Sequence, residues 1–203
     1  HYFRRIPSQS EYAEHALYYI AYIAYVRGDN ATAKAAFTQL TRSAAYGVVA
    51  PFYLLQIEFN AGNYRYVVTT GGELIDRAAG DRRTELERVV AEAWFHLGDY
   101  GRSEEFMNAY RRDGGAMGRN ENYILGYSLY RQARYDEARA YLQQVCGADD
   151  ALTQNASYHL ADCYLRSGDK QRAMQSFAMA ANDAFDATIA EDALFNYGKL
   201  QYE

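Results

Sequence analysis

The sequence has little of what breaks helices or builds strands. Only two of its 203 residues are proline, Pro7 and Pro51, and runs of β-branched residues are few. Alanine, leucine, arginine, glutamate and glutamine, which favour helix, are plentiful. The composition therefore predicts an all-α fold.

Cysteine is equally scarce, with Cys146 near the end of one predicted helix and Cys163 well into the next. Antiparallel helices would place the two roughly 12 Å apart at about 1.5 Å per residue, which is too far for a disulfide. Free, buried or half-buried thiols are predicted.

The chain also lacks an excess of positive charge and lacks long apolar runs. Its formal net charge is −5, and its basic residues are spread along the sequence, unlike the basic surface of a phosphate-backbone binder. No stretch approaches the roughly 18 apolar residues needed to span a bilayer, and no basic-then-apolar leader opens the chain. We predict neither nucleic-acid binding nor membrane insertion for this segment.

Residues that carry catalysis or bind metal are few and scattered. No histidine lies four residues from another, and neither cysteine has metal-ligand spacing to a second ligand. The glycine pairs Gly71-Gly72 and Gly114-Gly115 lack the strand-turn-helix context of a phosphate-binding loop. We therefore predict no catalytic residue, metal site or cofactor, and a protein that is not an enzyme. The histidines are His1, His15, His96 and His159.

The chain does contain a short motif that recurs every 34 to 36 residues. In it, an aromatic residue or leucine precedes a small turn residue by three positions. A period of this size predicts stacked helix hairpins in a quasi-one-dimensional array. The turn residues are Gly28, Gly62, Gly98, Ala133 and Gly168.

The period divides the chain into five hairpins and one further helix. We expect a single solenoid over 1–203 that is a piece of a longer repeat protein, because the first residue is not methionine and the last helix has no stop signal. Helices over 30–44 and 135–146 are among those predicted. In the second unit, the stretch from Val67 to Gly72 predicts a kinked or partly irregular helix, since β-branched residues and two glycines weaken it. The predicted units are 9–46, 48–80, 82–113, 119–148, 152–184 and a partial 188–203.

Side-chain size follows the same register. The positions seven before and five after each turn residue are mostly small, which predicts close approach of the two helices of a hairpin. The position nine after is bulky in every hairpin except the second, which predicts that it fills the space between hairpins. Left-handed backbone at the turn residue and a capping Asp or Asn after it are also predicted.

Residues 122–142 and 157–177 resemble tetratricopeptide repeats. The resemblance implies a right-handed α-α superhelix whose first helices line a concave face that binds proteins or peptides. The stretch 155–202 is also similar to bacterial cell-envelope proteins with many such repeats, particularly those of Bacteroides-type bacteria, which implies a periplasmic or envelope location.

In such repeats the exposed part of the concave face falls about ten, six and three residues before each turn. Those positions are rich in tyrosine, of which the chain has 21. Tyrosine gives a large amphipathic contact area at low rotamer entropy, so the face is predicted to bind an extended peptide or a partner helix. The predicted site consists of Tyr18, Tyr22, Tyr25, Phe52, Gln56, Phe59, Arg88, Glu92, Phe95, Tyr123, Tyr127, Tyr130, Tyr158 and Asp162.

Three alternatives remain open at this point. The rings could pack between neighbouring first helices with only their hydroxyls showing. The segment could be a structural spacer that self-associates through exposed array ends. The tyrosines could instead stack on a small molecule or glycan, which would need a closed pocket.

Overall fold

The computed structural model describes residues 12–182 and 185–202 of the chain. Within these residues every regular element is an α-helix, which confirms the predicted all-α fold. Residues 1–11, 183–184 and 203, which include His1 and Pro7, lie outside the described part. The helices are α1 (Ala13–Val26), α2 (Asn30–Leu40), α3 (Ala50–Asn60), α4 (Tyr64–Ile75), α5 (Asp81–His96), α6 (Tyr100–Arg112), α7 (Arg119–Arg131), α8 (Tyr135–Leu142), α9 (Ala151–Arg166), α10 (Lys170–Asn182) and α11 (Ala187–Tyr202).

The helices form two compact units, and the division falls between Ala93 and Trp94. In the first unit, α1 packs on α2, α2 on α3 and α3 on α4. In the second, consecutive helices from α6 to α11 pack on one another. In addition, α9 contacts both α7 and α11. No helix of the described residues is both long and apolar enough to cross a bilayer.

The turns within the hairpins have the predicted left-handed backbone. The φ angles are +75° at Gly28, +77° at Gly62, +79° at Gly98, +60° at Ala133 and +79° at Gly168. The aspartate that follows three of these turns accepts a hydrogen bond from a backbone N–H in the first turn of the next helix, as predicted. These aspartates are Asp29, Asp99 and Asp169.

Among the Asp and Asn residues that follow these turns, Asn63 is the exception to this capping. Its side chain makes no cap hydrogen bond. Instead, its Nδ2 donates to Glu58 Oε2 over 2.5 Å. Lys34 also pairs with Glu58, and hydrogen bonds from Lys34 and Asn63 lower the pKa of this buried carboxyl. Asn63 therefore stabilises a buried charge in place of a helix end.

The small positions of the register lie at the contacts between helices, as predicted. The residues seven before and five after each turn are all fully buried, and so are the bulky residues nine after it. A Cβ built on Gly126 would lie 2.9 Å from Leu142 Cγ and 3.1 Å from the Leu142 backbone nitrogen, so α7 and α8 approach closely there. The bulky residues are Phe37, Met107, Leu142 and Phe177.

Of the kinked or partly irregular helix predicted in the second repeat, the irregular part is wrong. α4 is a continuous helix from Tyr64 to Ile75, with both Gly71 and Gly72 inside it. Val67 and Gly71 are buried on its inner face, and a Cβ on Gly71 would lie 2.3 Å from Val90 Cγ2. Packing of this face against α5 outweighs the poor helix propensity of the sequence.

Ala133 carries the one left-handed turn among the five that is not glycine, and this position makes a stability prediction. We expect Ala133→Gly to raise the free energy of unfolding by about 0.5–1 kcal/mol, because alanine is strained at positive φ. Gly168→Ala, at the equivalent turn, should lower it by about 1 kcal/mol, and no atom lies within 4 Å of the added Cβ, so backbone strain alone acts there. Urea unfolding of both variants measures these two changes in the free energy of unfolding. Changes of the same sign would contradict the explanation by backbone strain at positive φ.

Candidate functional site

In the first unit, the predicted tyrosines of α1 gather around a ring that the sequence reasoning did not include. Tyr53, on α3, lies 6.3 Å from Tyr18, 5.9 Å from Tyr22 and 5.3 Å from Tyr25 between ring centroids. Its other side stacks on the core ring of Phe37 at 4.6 Å. The tyrosines of α1 are therefore joined to the core through Tyr53.

These tyrosines differ in how much surface they show. Tyr22 is 41% exposed, whereas Tyr18 and Tyr25 are half-buried. Burial, with the nearby Glu85 carboxylate, raises the pKa of the Tyr25 hydroxyl, which stays neutral at physiological pH. Tyr22 is thus the predicted tyrosine of the first unit with the most surface left for a partner.

The other predicted residues of the first unit make further contacts beside these rings. Phe52 packs edge-on against Tyr53, with 5.7 Å between ring centroids, and also lines a cavity, while Phe59 packs edge-on against Tyr64. Arg88 forms ion pairs with Glu85 at 2.5 Å and with Glu92 at 3.2 Å. The predicted site residues Arg88 and Glu92 therefore neutralise one another.

Gln56 donates from Nε2 to Glu85 Oε1 over 3.4 Å. Glu85 also pairs with Arg88, so the predicted polar residues of α3 and α5 in this unit are joined through one carboxylate. The polar side chains that the sequence reasoning assigned to the border of the face are thus paired largely with one another.

In the second unit, the predicted rings form an unbroken series. Tyr127 lies 5.4 Å from Phe95 on one side and 4.7 Å from His159 on the other. His159 lies 4.9 Å from Tyr130, and Tyr123 stacks on Tyr127 at 5.7 Å. We call this series, with Tyr158 and Asp162, the second-unit aromatic face: Phe95, Tyr123, Tyr127, Tyr130, Tyr158, His159 and Asp162.

Polar groups tie one edge of the second-unit aromatic face to α9. The Tyr130 hydroxyl donates to Asp162 Oδ2 over 2.9 Å, and Arg166 Nε donates to the same oxygen over 2.8 Å. Burial and the hydrogen bond to Asp162 raise the pKa of Tyr130, and burial raises that of Tyr123. Both hydroxyls remain protonated donors.

A second arginine, Arg131, binds tyrosine hydroxyls at this face. Arg131 Nη1 donates to the hydroxyls of Tyr127 and Tyr100, over 3.1 Å and 3.0 Å. Its guanidinium carbon lies 4.7 Å from the Tyr100 ring centroid, which is cation–π distance. These hydrogen bonds and ring contacts hold Tyr127 in place.

His159 is the residue of this face that the sequence reasoning missed, since it was weighed there only as a metal ligand. Burial lowers its pKa to about 4, so the imidazole is neutral at physiological pH. Its Nδ1 is buried and has no hydrogen-bond partner among the described residues.

His159 and Tyr53 occupy the same register position, nine residues before their turns. Each inserts its ring between the residues six and three before the preceding turn: Tyr127 and Tyr130 for His159, Tyr22 and Tyr25 for Tyr53. The repeat period itself was the signal that could have found both.

The chemistry available at these sites is limited. Among the described residues no three histidine, cysteine, aspartate or glutamate side chains are grouped so as to hold a metal ion. Both cysteines are free, and burial raises the pKa of the Cys163 thiol to about 12, which keeps it protonated and unreactive. Ring stacking and hydrogen bonding are the interactions that the second-unit aromatic face offers.

Comparison with known proteins agrees with the repeat architecture. Tetratricopeptide repeat models match residues 15–44 and 123–187. A search of curated protein sequences finds no match. The chain thus has the fold of tetratricopeptide repeat proteins, and these two stretches match the repeat in sequence.

Solved structures share the fold at low sequence identity. YrrB, described as a TPR protein with an unusual peptide-binding site, aligns with a TM-score of 0.75 at 11% identity, over 96% of this chain and 98% of its own. MamA (AMB-1) gives 0.70 at 14% identity, over 84% and 91%. A TPR protein of Thermus thermophilus gives 0.51 at 18% identity, over 94% and 100%.

Proposed function

We propose that this protein is a non-catalytic interaction scaffold that binds a peptide or a partner protein through the second-unit aromatic face. The observation that carries the proposal is the unbroken series of half-buried rings from Phe95 through Tyr127 and His159 to Tyr130. Tetratricopeptide repeats generally act as protein-interaction scaffolds, and YrrB is described as having a peptide-binding site.

The physical case rests on preorganisation. Rings that are already fixed by stacking and by hydrogen bonds to Arg131 and Asp162 lose little side-chain entropy when a partner covers them. Half-buried tyrosines also have the size and amphipathic character of residues that dominate binding energy. The neutral His159 and the paired Asp162 add no uncompensated charge, so an apolar or aromatic partner segment suits this face best.

The alternative that the rings only pack between first helices has partial support. Tyr127 touches rings on both of its sides, so part of its surface serves the fold. The part that remains exposed is what the proposal assigns to a partner. Mutation therefore needs a readout that separates binding from folding.

The test begins with peptides selected from a phage-displayed library against the whole chain. We expect Tyr127→Ala to weaken the best peptide at least tenfold, or roughly 1–3 kcal/mol, in isothermal titration calorimetry. Tyr141→Ala is the matched control, because Tyr141 is a half-buried tyrosine of the same unit on the second helix of its hairpin, where it contacts Arg111. Far-UV circular dichroism confirms equal helicity.

Two further variants sharpen the outcome. Tyr127→Phe keeps the ring but loses the hydrogen bond from Arg131, so its affinity separates the contribution of the ring from that of the hydroxyl. Tyr22→Ala probes the first unit; a loss there, with Tyr127→Ala unaffected, would move the binding face to α1. Equal affinity of all variants and wild type would reject both faces.

Self-association is a second candidate that one observation favours. α11 exposes large apolar side chains, with Leu194 61%, Phe195 72% and Tyr202 95% exposed. Analytical ultracentrifugation of the same protein samples measures the oligomeric state. A dimer that Phe195→Ser abolishes would support self-association through α11. The envelope location implied by the resemblance of 155–202 stays a prediction.

A further inference from the structure

The first unit contains a cavity of about 220 Å³ that is separate from the tyrosines of α1. Pro51 and Phe52 line it from the start of α3, Leu74 from the end of α4, and Leu86 from α5. These apolar side chains make the walls suited to an apolar group.

Two arginines also line the cavity, which makes its charge unusual for an acidic protein. Arg77 follows the end of α4 and is exposed, whereas Arg82 lies in the first turn of α5 and is half-buried. Ion pairs are common elsewhere in the protein, yet no described residue forms one with either of these guanidiniums. Asp76 and Asp81, their neighbours in sequence, are not within ion-pairing distance of them.

We propose that this cavity binds the C-terminal residue of a peptide or protein whose last side chain is apolar. The side chain occupies the space between Phe52, Leu74 and Leu86, and the terminal carboxylate pairs with Arg77 and Arg82. Arginine is suited to this role because its planar fork can donate two hydrogen bonds to one carboxylate.

Size and chemistry together select this ligand. Dedicated small-molecule sites typically measure roughly 300–1,000 Å³, so a cavity of about 220 Å³ suits a single residue better than a cofactor. An internal aspartate or glutamate would bring a carboxylate without an apolar group, and an internal leucine would bring no charge. A C-terminal apolar residue supplies both from one position.

The first part of the test titrates short peptides into the wild-type protein. Acetyl-Gly-Gly-Leu and acetyl-Gly-Gly-Phe are titrated into the isotope-labelled chain, and backbone amide shifts are followed by NMR. We expect the free acids to shift amides around Phe52 and Leu86 and to bind at least tenfold more tightly than the same peptides with a C-terminal amide. Acetyl-Gly-Gly-Ala, which lacks the large side chain, should also bind more weakly.

The second arm changes the arginines. Arg77→Gln and Arg82→Gln should each weaken the free acids about tenfold, while Arg65→Gln, an exposed arginine on α4 away from the cavity, should leave binding unchanged. No binding, or equal binding of acid and amide, would overturn the proposal. Loss of tripeptide binding in Tyr127→Ala with shifts confined to the second unit would also overturn it. A negative result for the cavity would not count against binding by the second-unit aromatic face, because that face is tested with separate variants and peptides.

Discussion

Replacing Gln154 with leucine is expected to lower the free energy of unfolding by about 2–4 kcal/mol. Gln154 is fully buried in α9, and its side-chain amide bonds three backbone groups in other parts of the second unit. Nε2 donates to the carbonyls of Ala180 at 3.2 Å and Asp186 at 3.0 Å, and Oε1 accepts from the Asp186 N–H at 2.7 Å. Leucine has a similar size but leaves these groups without their partner.

The size of this effect follows from where the bonded groups lie. The hydrogen bond to the Ala180 carbonyl is buried, so that oxygen bears the full cost of an unsatisfied polar group. Those to Asp186 are partly buried, and water can replace them in part. Gln175→Leu, on the exposed side of α10, is the matched control and should change stability by less than about 0.5 kcal/mol.

Two measurements check this prediction. Urea unfolding gives the stability difference, and hydrogen exchange locates it, because repeat proteins can open locally. We expect faster exchange in α10 and α11 of Gln154→Leu than in α7 and α8. A stability equal to that of Gln175→Leu would show that the three hydrogen bonds contribute nothing net.

The hairpins could be predicted from the sequence because their determinants are local. Glycine at positive φ followed by a capping aspartate specifies a turn within a few residues, as Gly28 and Asp29 show. Small residues at Ala21 and Ala33, seven before and five after that turn, then indicate where the paired helices touch. The repeat of this pattern made the fold accessible without any long-range information.

Some helix ends could not be read in the same way. α2 ends at Leu40, whereas the pattern predicted a helix to residue 44. The side chain of Ser43 accepts from the N–H groups of Ala45 and Tyr46 and donates to Glu14 of α1. This serine competes with the helix for backbone groups, and its bond to Glu14 exists only once α1 and α2 have paired. α8 likewise ends at Leu142 rather than at residue 146.

The candidate site shows the same division between local and long-range information. The repeat register predicts Tyr127 and Tyr130 as neighbours on one face, and their ring centroids lie 6.0 Å apart. The register could not predict how deeply each ring is buried between α7 and α9. That depth depends on the spacing of the two helices, which no single repeat encodes. The partners of Gln154 and the cavity beside Arg77 are also products of tertiary packing and leave no local pattern.

The wrong prediction for α4 leads to the sharpest test of that distinction. Gly71→Ala is expected to lower the free energy of unfolding by about 1–2 kcal/mol, because the added Cβ would lie 2.3 Å from a methyl of the stiff, buried Val90. Gly72→Ala is expected to raise it by about 1 kcal/mol, since nothing lies within 4 Å of its Cβ and alanine favours helix. Two adjacent, chemically identical substitutions thus have opposite predicted signs, with a difference of about 2–3 kcal/mol.

The comparison works because local propensity is the same for both variants. If propensity governed α4, both would stabilise the helix by about the same amount. Opposite signs in urea unfolding therefore report the packing of α4 against α5 alone. Val90→Ala provides the double-mutant cycle: removing the Val90 methyls should relieve most of the penalty of Gly71→Ala and leave the gain from Gly72→Ala unchanged. Additivity of Gly71→Ala with Val90→Ala would mean that the close approach of these two residues does not set the stability of α4.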